Sequence, residues 1–475
     1  MNANNDGTDP SGRYDLAVVG AGSAGFSAAI TAAEQGAAVA LVGAGTIGGT
    51  CVNVGCVPSK TMIRAMETVH QGRVASRFAG LAGGVRIDDW AALVAQKDAL
   101  VDDLRQAKYI DLLSSYDTIT YRPGLARFTE QGLQVDGVDL PADRIIIATG
   151  SRARIADIDG INDIDFLTST TALELDKVPA SMLIVGGGYI GCELAQLFLR
   201  AGSDVTLTCR RRLLPESEPE ISDTLAHAFR AEGMTVLTGV TYRGVALSGG
   251  HTVLSLEQDG RAQDLAADKL MMATGRTANV ERLDLDAAGI ALNGQSGIKI
   301  DDRMRTSRAG VYAAGDVTGD DQFVYMAAYG GRIAAENALN GDSLIYDNRA
   351  MPAVTFTDPQ VATVGLTEAA ARARGIDVKT SLLPLDTVPR ALAARDTRGL
   401  IKLVADAQTD QLIGAHIMAP EGADSIQTAA LAIAQGMTTK ALAGMIFPYL
   451  TTVEGLKLAA QAFDKDIAKL SCCAG

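Results

Sequence analysis

Two copies of one glycine pattern, each set between an apolar strand and a helix, constrain this chain more than any other feature. The first runs from Tyr14-Asp-Leu-Ala-Val-Val19 through Gly20-Ala-Gly22-Ser-Ala-Gly25 into an alanine-rich stretch ending near Gln35. The second runs from Met182-Leu-Ile-Val185 through Gly186-Gly-Gly188-Tyr-Ile-Gly191 into an apolar helix, Cys192 to Arg200. Strand, G-x-G-x-x-G and helix in that order bring a pyrophosphate onto helix N-terminal amides, and the glycines let the backbone approach it. One such match is a weak signal that a chance glycine turn can imitate. Two point to a duplicated dinucleotide-binding fold.

A cysteine pair follows the first copy, in Gly48-Gly-Thr-Cys51-Val-Asn-Val-Gly-Cys56-Val-Pro-Ser-Lys60. Residues five apart on a regular helix are rotated by about 140° from each other, so Cys51 and Cys56 can bond only across an irregular segment. Gly55 and Pro58 supply the irregularity. Such pairs are redox-active where a helix N-terminus or a cation stabilises the thiolate, and Lys60 is the candidate cation. The alternative, two buried thiols or half of a metal site, lacks a nearby histidine or third cysteine. Cys472 and Cys473 form a second pair at the C-terminus, so four of the six cysteines read as chemical.

The ends of the next strands assign the nucleotides. A carboxylate about twenty residues after the first glycine holds a ribose hydroxyl, whereas arginines accommodate a 2′-phosphate. After the second motif, Asp204-Val-Thr-Leu-Thr208 runs into Cys209-Arg210-Arg211-Arg212 without an acid, which favours NADPH over NADH; a solvated arginine turn is the plainer alternative. After the first motif, Val39-Ala-Leu-Val42 ends at Gly43, again without a carboxylate.

With Ala148-Thr149-Gly150, Ala273-Thr-Gly275-Arg276 and Val311-Tyr-Ala-Ala-Gly-Asp316 added, the chain from about Tyr14 onward resembles the pyridine nucleotide-disulfide oxidoreductase family of FAD flavoproteins. The resemblance implies an α/β fold with two Rossmann-like dinucleotide-binding domains, glutathione reductase-like, plus a C-terminal α+β dimerisation domain. The expected division is a disordered tail over 1–13, an FAD domain over 14–150 and 273–347, an NADPH domain over 151–272, and an interface domain over 348–475. It further implies that Gly20, Gly22, Gly25, Gly49, Thr50, Lys60, Thr149, Gly150 and Asp316 serve FAD, Asp316 at the ribityl chain. Gly186, Gly188, Tyr189, Gly191, Gly275 and the three arginines would serve NADPH, with Tyr189 gating the nicotinamide pocket. Cys56 would be the charge-transfer thiolate against the flavin and Cys51 the outer, exchanging thiol, with Lys60 and Glu193 a flavin-side ion pair. Gly43 stands where the family has glutamate, so the adenosine ribose must be held differently or less tightly.

The C-terminal segment selects the substrate class. Disulfide reductases of this family resemble one another in His-Pro-Thr-x-x-Glu, whose histidine protonates the leaving thiol; here the stretch is Tyr449-Leu-Thr-Thr-Val-Glu454. None of His70, His227, His251 and His416 falls in a matching motif. A tyrosine titrating near pH 10 replaces that donor poorly. Two-electron reduction of a soft ion needs no protonated sulfur leaving group, and thiolates suit such an ion. The resemblance is therefore to members that reduce Hg(II), with Tyr109 and Tyr449 lining the inner site and Cys472 and Cys473 passing Hg(II) from solution thiols to Cys51 and Cys56 of the other subunit of a homodimer. A large thioredoxin reductase and a thiol protein that sequesters metal are the rival readings. The nucleotide motifs disfavour storage, which needs no hydride. The expectation is a catalytic core without an N-terminal Cys-x-x-Cys metal-binding extension.

A net charge of −14 argues against nucleic acid or anionic membrane as a partner. The glycine spacing and a polar upstream tail disfavour reading the first apolar stretch as a signal peptide. A reducing cytoplasm is the expected setting, one in which a CxxxxC pair is catalytic rather than structural.

Overall fold

A computed structural model of the chain describes residues 12–294 and 296–466. The expected tail lies outside these residues except for Gly12 and Arg13, and so do Cys472 and Cys473. The described residues form two units. The first holds those up to Thr61 together with Ala92–Arg154 and Gly275–Asp347; the second holds Met62–Ala91, Ile155–Thr274 and those from Asn348 onward.

In the first unit a parallel sheet is ordered Val311–Ala313, Ala142–Ile147, Tyr14–Val19, Val39–Gly43, Ile119–Pro123. Its central strands are near-continuous apolar runs because both faces are covered. On one face Leu16, Val18, Leu41 and Ile146 pack with Phe26, Ala28 and Ile333 of helices Ser23–Ala33 and Val324–Asn340. On the other, Ala17, Val19, Val42 and Ile147 share a core with Phe128 and Leu133 of a small antiparallel sheet. The two helices touch closely: a Cβ on Gly331 would stand 2.2 Å from the Ala24 carbonyl oxygen.

The second unit repeats the parallel theme, in the order Thr235–Thr238, Asp204–Cys209, Ser181–Val185, Lys269–Met272. It also holds an antiparallel sheet ordered Pro352–Thr355, Gln360–Gly365, Leu412–Ala419, Leu400–Asp406, Val378–Pro384. Helices Gly422–Ala434 and Glu454–Gln461 pack on that sheet through Ile426, Ala429, Leu456 and Ala459. Within this unit the Lys402 ammonium, almost fully buried, is held by Glu218, Glu220 and Glu368 at 2.9, 2.8 and 3.1 Å.

Several groupings differ from the expected divisions: the second unit takes in residues 273–274 and joins the expected NADPH and interface regions. Ser151–Ala153 falls in the first unit because it pairs with Arg276–Ala278. Residues 62–91 group with the second, where the Trp90 indole donates to the Leu175 carbonyl at 2.8 Å and Arg73 to the Arg200 carbonyl at 2.8 Å. Among the described residues no helix is long and apolar enough to cross a membrane.

Candidate active site

The first glycine turn closes by backbone contact. A Cβ on Gly20, whose φ is +122°, would stand 2.1 Å from the Ala148 carbonyl oxygen, and one on Gly25 would stand 1.7 Å from the Gly20 carbonyl oxygen. Gly22 is different: its added Cβ would meet only the Gly49 Cα, at 3.6 Å. Gly22 is also the N-cap of helix Ser23–Ala33, with no side-chain cap and no acid in the first turn. Uncapped amides and the positive end of the helix dipole leave a cradle that fits the FAD pyrophosphate.

The second unit repeats this geometry. Gly186 has φ +123° and its Cβ would lie 2.1 Å from the Ala273 oxygen; one on Gly191 would lie 1.8 Å from the Gly186 oxygen; one on Gly188 would meet nothing within 4 Å. Gly188 is the uncapped N-cap of helix Tyr189–Ala201. Ala148-Thr149-Gly150 and Ala273-Thr274-Gly275 are thus equivalent segments, each lending its alanine carbonyl to close a glycine turn.

The cysteine segment adjoins the first turn. Gly48 and Gly49 have φ of +93° and +66°, and a Cβ on Gly49 would stand 2.7 Å from the Gly22 Cα, so two backbones meet where Gly49 cannot carry a side chain. Cys51 lies in the short helix Gly49–Asn53, of which Thr50 is the second residue, and Cys56 opens helix Cys56–Arg73. The break at Val54-Gly55 lets the sulfurs meet. Both are free thiols, hydrogen-bonded to each other. That hydrogen bond first, then burial and the charge of Cys56, hold the Cys51 proton well above the ordinary thiol range, while Lys60 pulls the other way. Asn53 braces the segment: its amide donates to the Ile47 and Gly49 carbonyls at 2.9 and 2.8 Å, and its oxygen accepts from Arg105 at 3.0 Å.

Tyr109 sits in the π-turn Gln106–Ile110 that continues helix Trp90–Arg105. Its ring meets Phe26 edge-on at 4.8 Å, and its hydroxyl is hydrogen-bonded to Ser23. Burial, and the charges of Cys51 and Cys56, raise its pKa and keep the phenol neutral.

Thr149 donates to the Asn279 carbonyl at 2.8 Å, and Gly150 turns with φ +69°. Asp316 opens a 3₁₀ turn after Gly315; its Oδ2 accepts from Ser151 at 2.5 Å and lies 3.5 Å from Arg276, which itself donates to Ser151 at 2.7 Å. Arg276 carries no role from the sequence alone, and Ser151, Ser23 and Asn53 stand in no motif that marks them. Arg276 belongs to the Ala-Thr-Gly-Arg run and was the one signal available.

In the second unit Tyr189 is the first helical residue, 38% exposed. Glu193 is buried and accepts from the Phe356 amide at 2.8 Å. The three arginines divide: Arg212 donates to the Pro215 and Ser217 carbonyls at 3.0 and 2.7 Å, Arg211 pairs with exposed Glu216 at 2.9 Å, and Arg210 lies over the Tyr242 ring at 5.7 Å. Arg212 shapes the loop, while Arg210 and Arg211 keep exposed guanidinium groups at the strand end. Tyr449 lies in the segment between helices Thr439–Gly444 and Glu454–Gln461, 56% exposed beside Ile446 at 98%.

Comparison with known proteins agrees with this geometry. The family model described as pyridine nucleotide-disulphide oxidoreductase matches residues 14–335, and that of its dimerisation domain matches residues 351–460. The chain is 47% identical to a mercuric reductase of Staphylococcus aureus, over 98% of this chain and 85% of that protein. It is 45% identical to a mercuric reductase of Streptomyces lividans, over 97% and 98%. Among solved structures, the Cu(II) complex of the HOCl-induced flavoprotein disulfide reductase RclA from Escherichia coli superposes with a TM-score of 0.83 at 28% identity, covering 94% of this chain and 99% of that one.

Proposed function

The chain belongs to the pyridine nucleotide-disulphide oxidoreductase family, and from that premise we propose that it reduces Hg(II) to Hg(0) with NADPH, as an FAD-containing homodimer. The observation that carries the reading is a pair of mutually hydrogen-bonded free thiols set against a nucleotide cradle, in a chain similar over nearly its whole length to mercuric reductases.

FAD, when bound, supplies the two-electron relay between the nicotinamide and the dithiol. The remaining work falls to the protein. Gly22 and Gly188 leave uncapped amides for the two pyrophosphates, and Arg210 and Arg211 offer charge to a 2′-phosphate. Asp316, oriented by Ser151 and Arg276, is placed to accept from the ribityl hydroxyls. Cys51 and Cys56 bind Hg(II) as thiolates, and the proton held on Cys51 leaves as the metal arrives. Lys60 favours that ionisation. Neutral Tyr109 walls the site with a hard oxygen that does not compete with sulfur for a soft ion. The electron pair of the hydride ends on mercury and its proton in solvent. The exposed Tyr449 and the terminal Cys472 and Cys473 act on the dithiol of the other subunit, the terminal pair delivering Hg(II) by ligand exchange.

The test is NADPH oxidation with Hg(II) in excess thiol, set beside oxidised glutathione, lipoamide and thioredoxin. Turnover with Hg(II) and little with the disulfides is the expected outcome; the reverse pattern would make the protein a disulfide reductase.

A further inference from the structure

The first dinucleotide turn lacks the carboxylate that holds an adenosine ribose at the end of its second strand. The strand Val39–Gly43 ends in a residue with no side chain, yet the space beside Gly43 is filled. A Cβ built there would stand 2.6 Å from the Tyr121 hydroxyl oxygen, 3.1 Å from its Cε2, and 3.1 Å from the Ala21 Cβ. Tyr121 comes from the neighbouring parallel strand Ile119–Pro123, in register with Leu41, and its ring reaches forward to the strand end. Ala21 lies inside the glycine turn itself. The phenol oxygen therefore occupies the first step of the path along which a side chain from position 43 would reach the ribose. It sits at the crevice beyond the carboxyl ends of the strands, where a dinucleotide binds.

We infer that the Tyr121 hydroxyl replaces the missing carboxylate and is a ligand of the adenosine ribose of FAD. A phenol is both donor and acceptor, so it pairs with a ribose hydroxyl in either sense. Burial raises its pKa and keeps it in that neutral form. The geometry also explains why residue 43 is glycine: Tyr121 and a side-chain carboxylate cannot share the space. Gly43→Glu alone collides with the phenol, whereas Gly43→Glu combined with Tyr121→Val exchanges one ribose ligand for the other.

The inference rests on FAD occupying this turn, and purified protein without flavin would remove that premise. The experiment follows flavin fluorescence after dilution of holoenzyme carrying FAD, or carrying an FAD analogue without the 2′- and 3′-hydroxyls of the adenosine ribose. Tyr121→Phe keeps the ring and removes only the oxygen. It should speed FAD release about two- to tenfold, the worth of one neutral hydrogen bond, and leave release of the analogue unchanged. Gly43→Glu should lose FAD faster than wild type, and the Gly43→Glu/Tyr121→Val pair should regain retention. Wild-type FAD release from Tyr121→Phe, or equal acceleration with FAD and analogue, overturns the assignment, since the phenol would then only fill space. Circular dichroism of Tyr121→Phe checks that its fold is kept.

Discussion

A single methyl group placed at Gly188 or at Gly191 separates the two tasks that glycine performs in the NADPH turn. At Gly191 the methyl would lie 1.8 Å from the Gly186 oxygen, against 3.4 Å or more for an ordinary contact, so the turn must open by about 1.6 Å. Overpacking of this kind costs about 1–3 kcal/mol, sometimes more, and in a domain of this size each kcal/mol lowers the melting temperature by about 2–4 °C. At Gly188 φ is −83° and nothing lies within 4 Å, so Gly188→Ala should melt close to wild type. Its methyl would instead stand at the helix amides proposed to receive the NADPH pyrophosphate. Losing one charge-assisted hydrogen bond, worth about 1.5–3 kcal/mol, should weaken NADP⁺ binding about tenfold to a hundredfold. Calorimetric titration with NADP⁺ and scanning calorimetry read the two effects, and flavin content should stay constant in both variants. If Gly188→Ala binds NADP⁺ like wild type, the phosphates do not approach this turn and the reasoning fails.

Reduction of the protein by NADPH should produce a long-wavelength absorbance that Cys56→Ala abolishes and Cys51→Ala retains; the opposite pattern exchanges the two roles. Replacing Cys472 and Cys473 together by alanine should leave reduction by NADPH intact while turnover of Hg(II) bound to bulky thiols falls steeply and halide complexes lose less. Unchanged turnover of the thiol complexes removes the terminal pair from the mechanism. Lys402→Met strands the buried carboxylate of Glu218, and such a loss costs about 3–5 kcal/mol. Denaturant titration should show it, with partial recovery when Glu218→Gln is added; an unchanged midpoint would mean that water reaches the cluster.

The glycine turns and the cysteine box were legible because phosphate binding and close backbone packing leave few residue choices at those positions. At Gly20, Gly25, Gly186 and Gly191 an added Cβ would stand 2.1 Å or less from a carbonyl oxygen. What sequence could not show depends on neighbours far along the chain. The departure at Gly43 was visible, but its answer lies 78 residues away on a strand brought alongside by parallel pairing. The three arginines read alike until the loop spends Arg212 on its own carbonyls. Lys402 stands among apolar neighbours in Leu400–Asp406, and only the fold reveals three carboxylates converging on it. The division at Met62 falls inside helix Cys56–Arg73, so the grouping of residues 62–91 with the second unit has no local signal.

The contact of Gly49 with Gly22 sets the mechanical tolerance of the redox centre. Two main chains touch there without an intervening rotatable bond, so rotamer changes cannot blur the distance from the phosphate cradle to the short helix that carries Cys51. A sulfur registered in this way inherits the stiffness of the sheet beneath it. The side chains around it can therefore change while the spacing of these two main chains stays fixed.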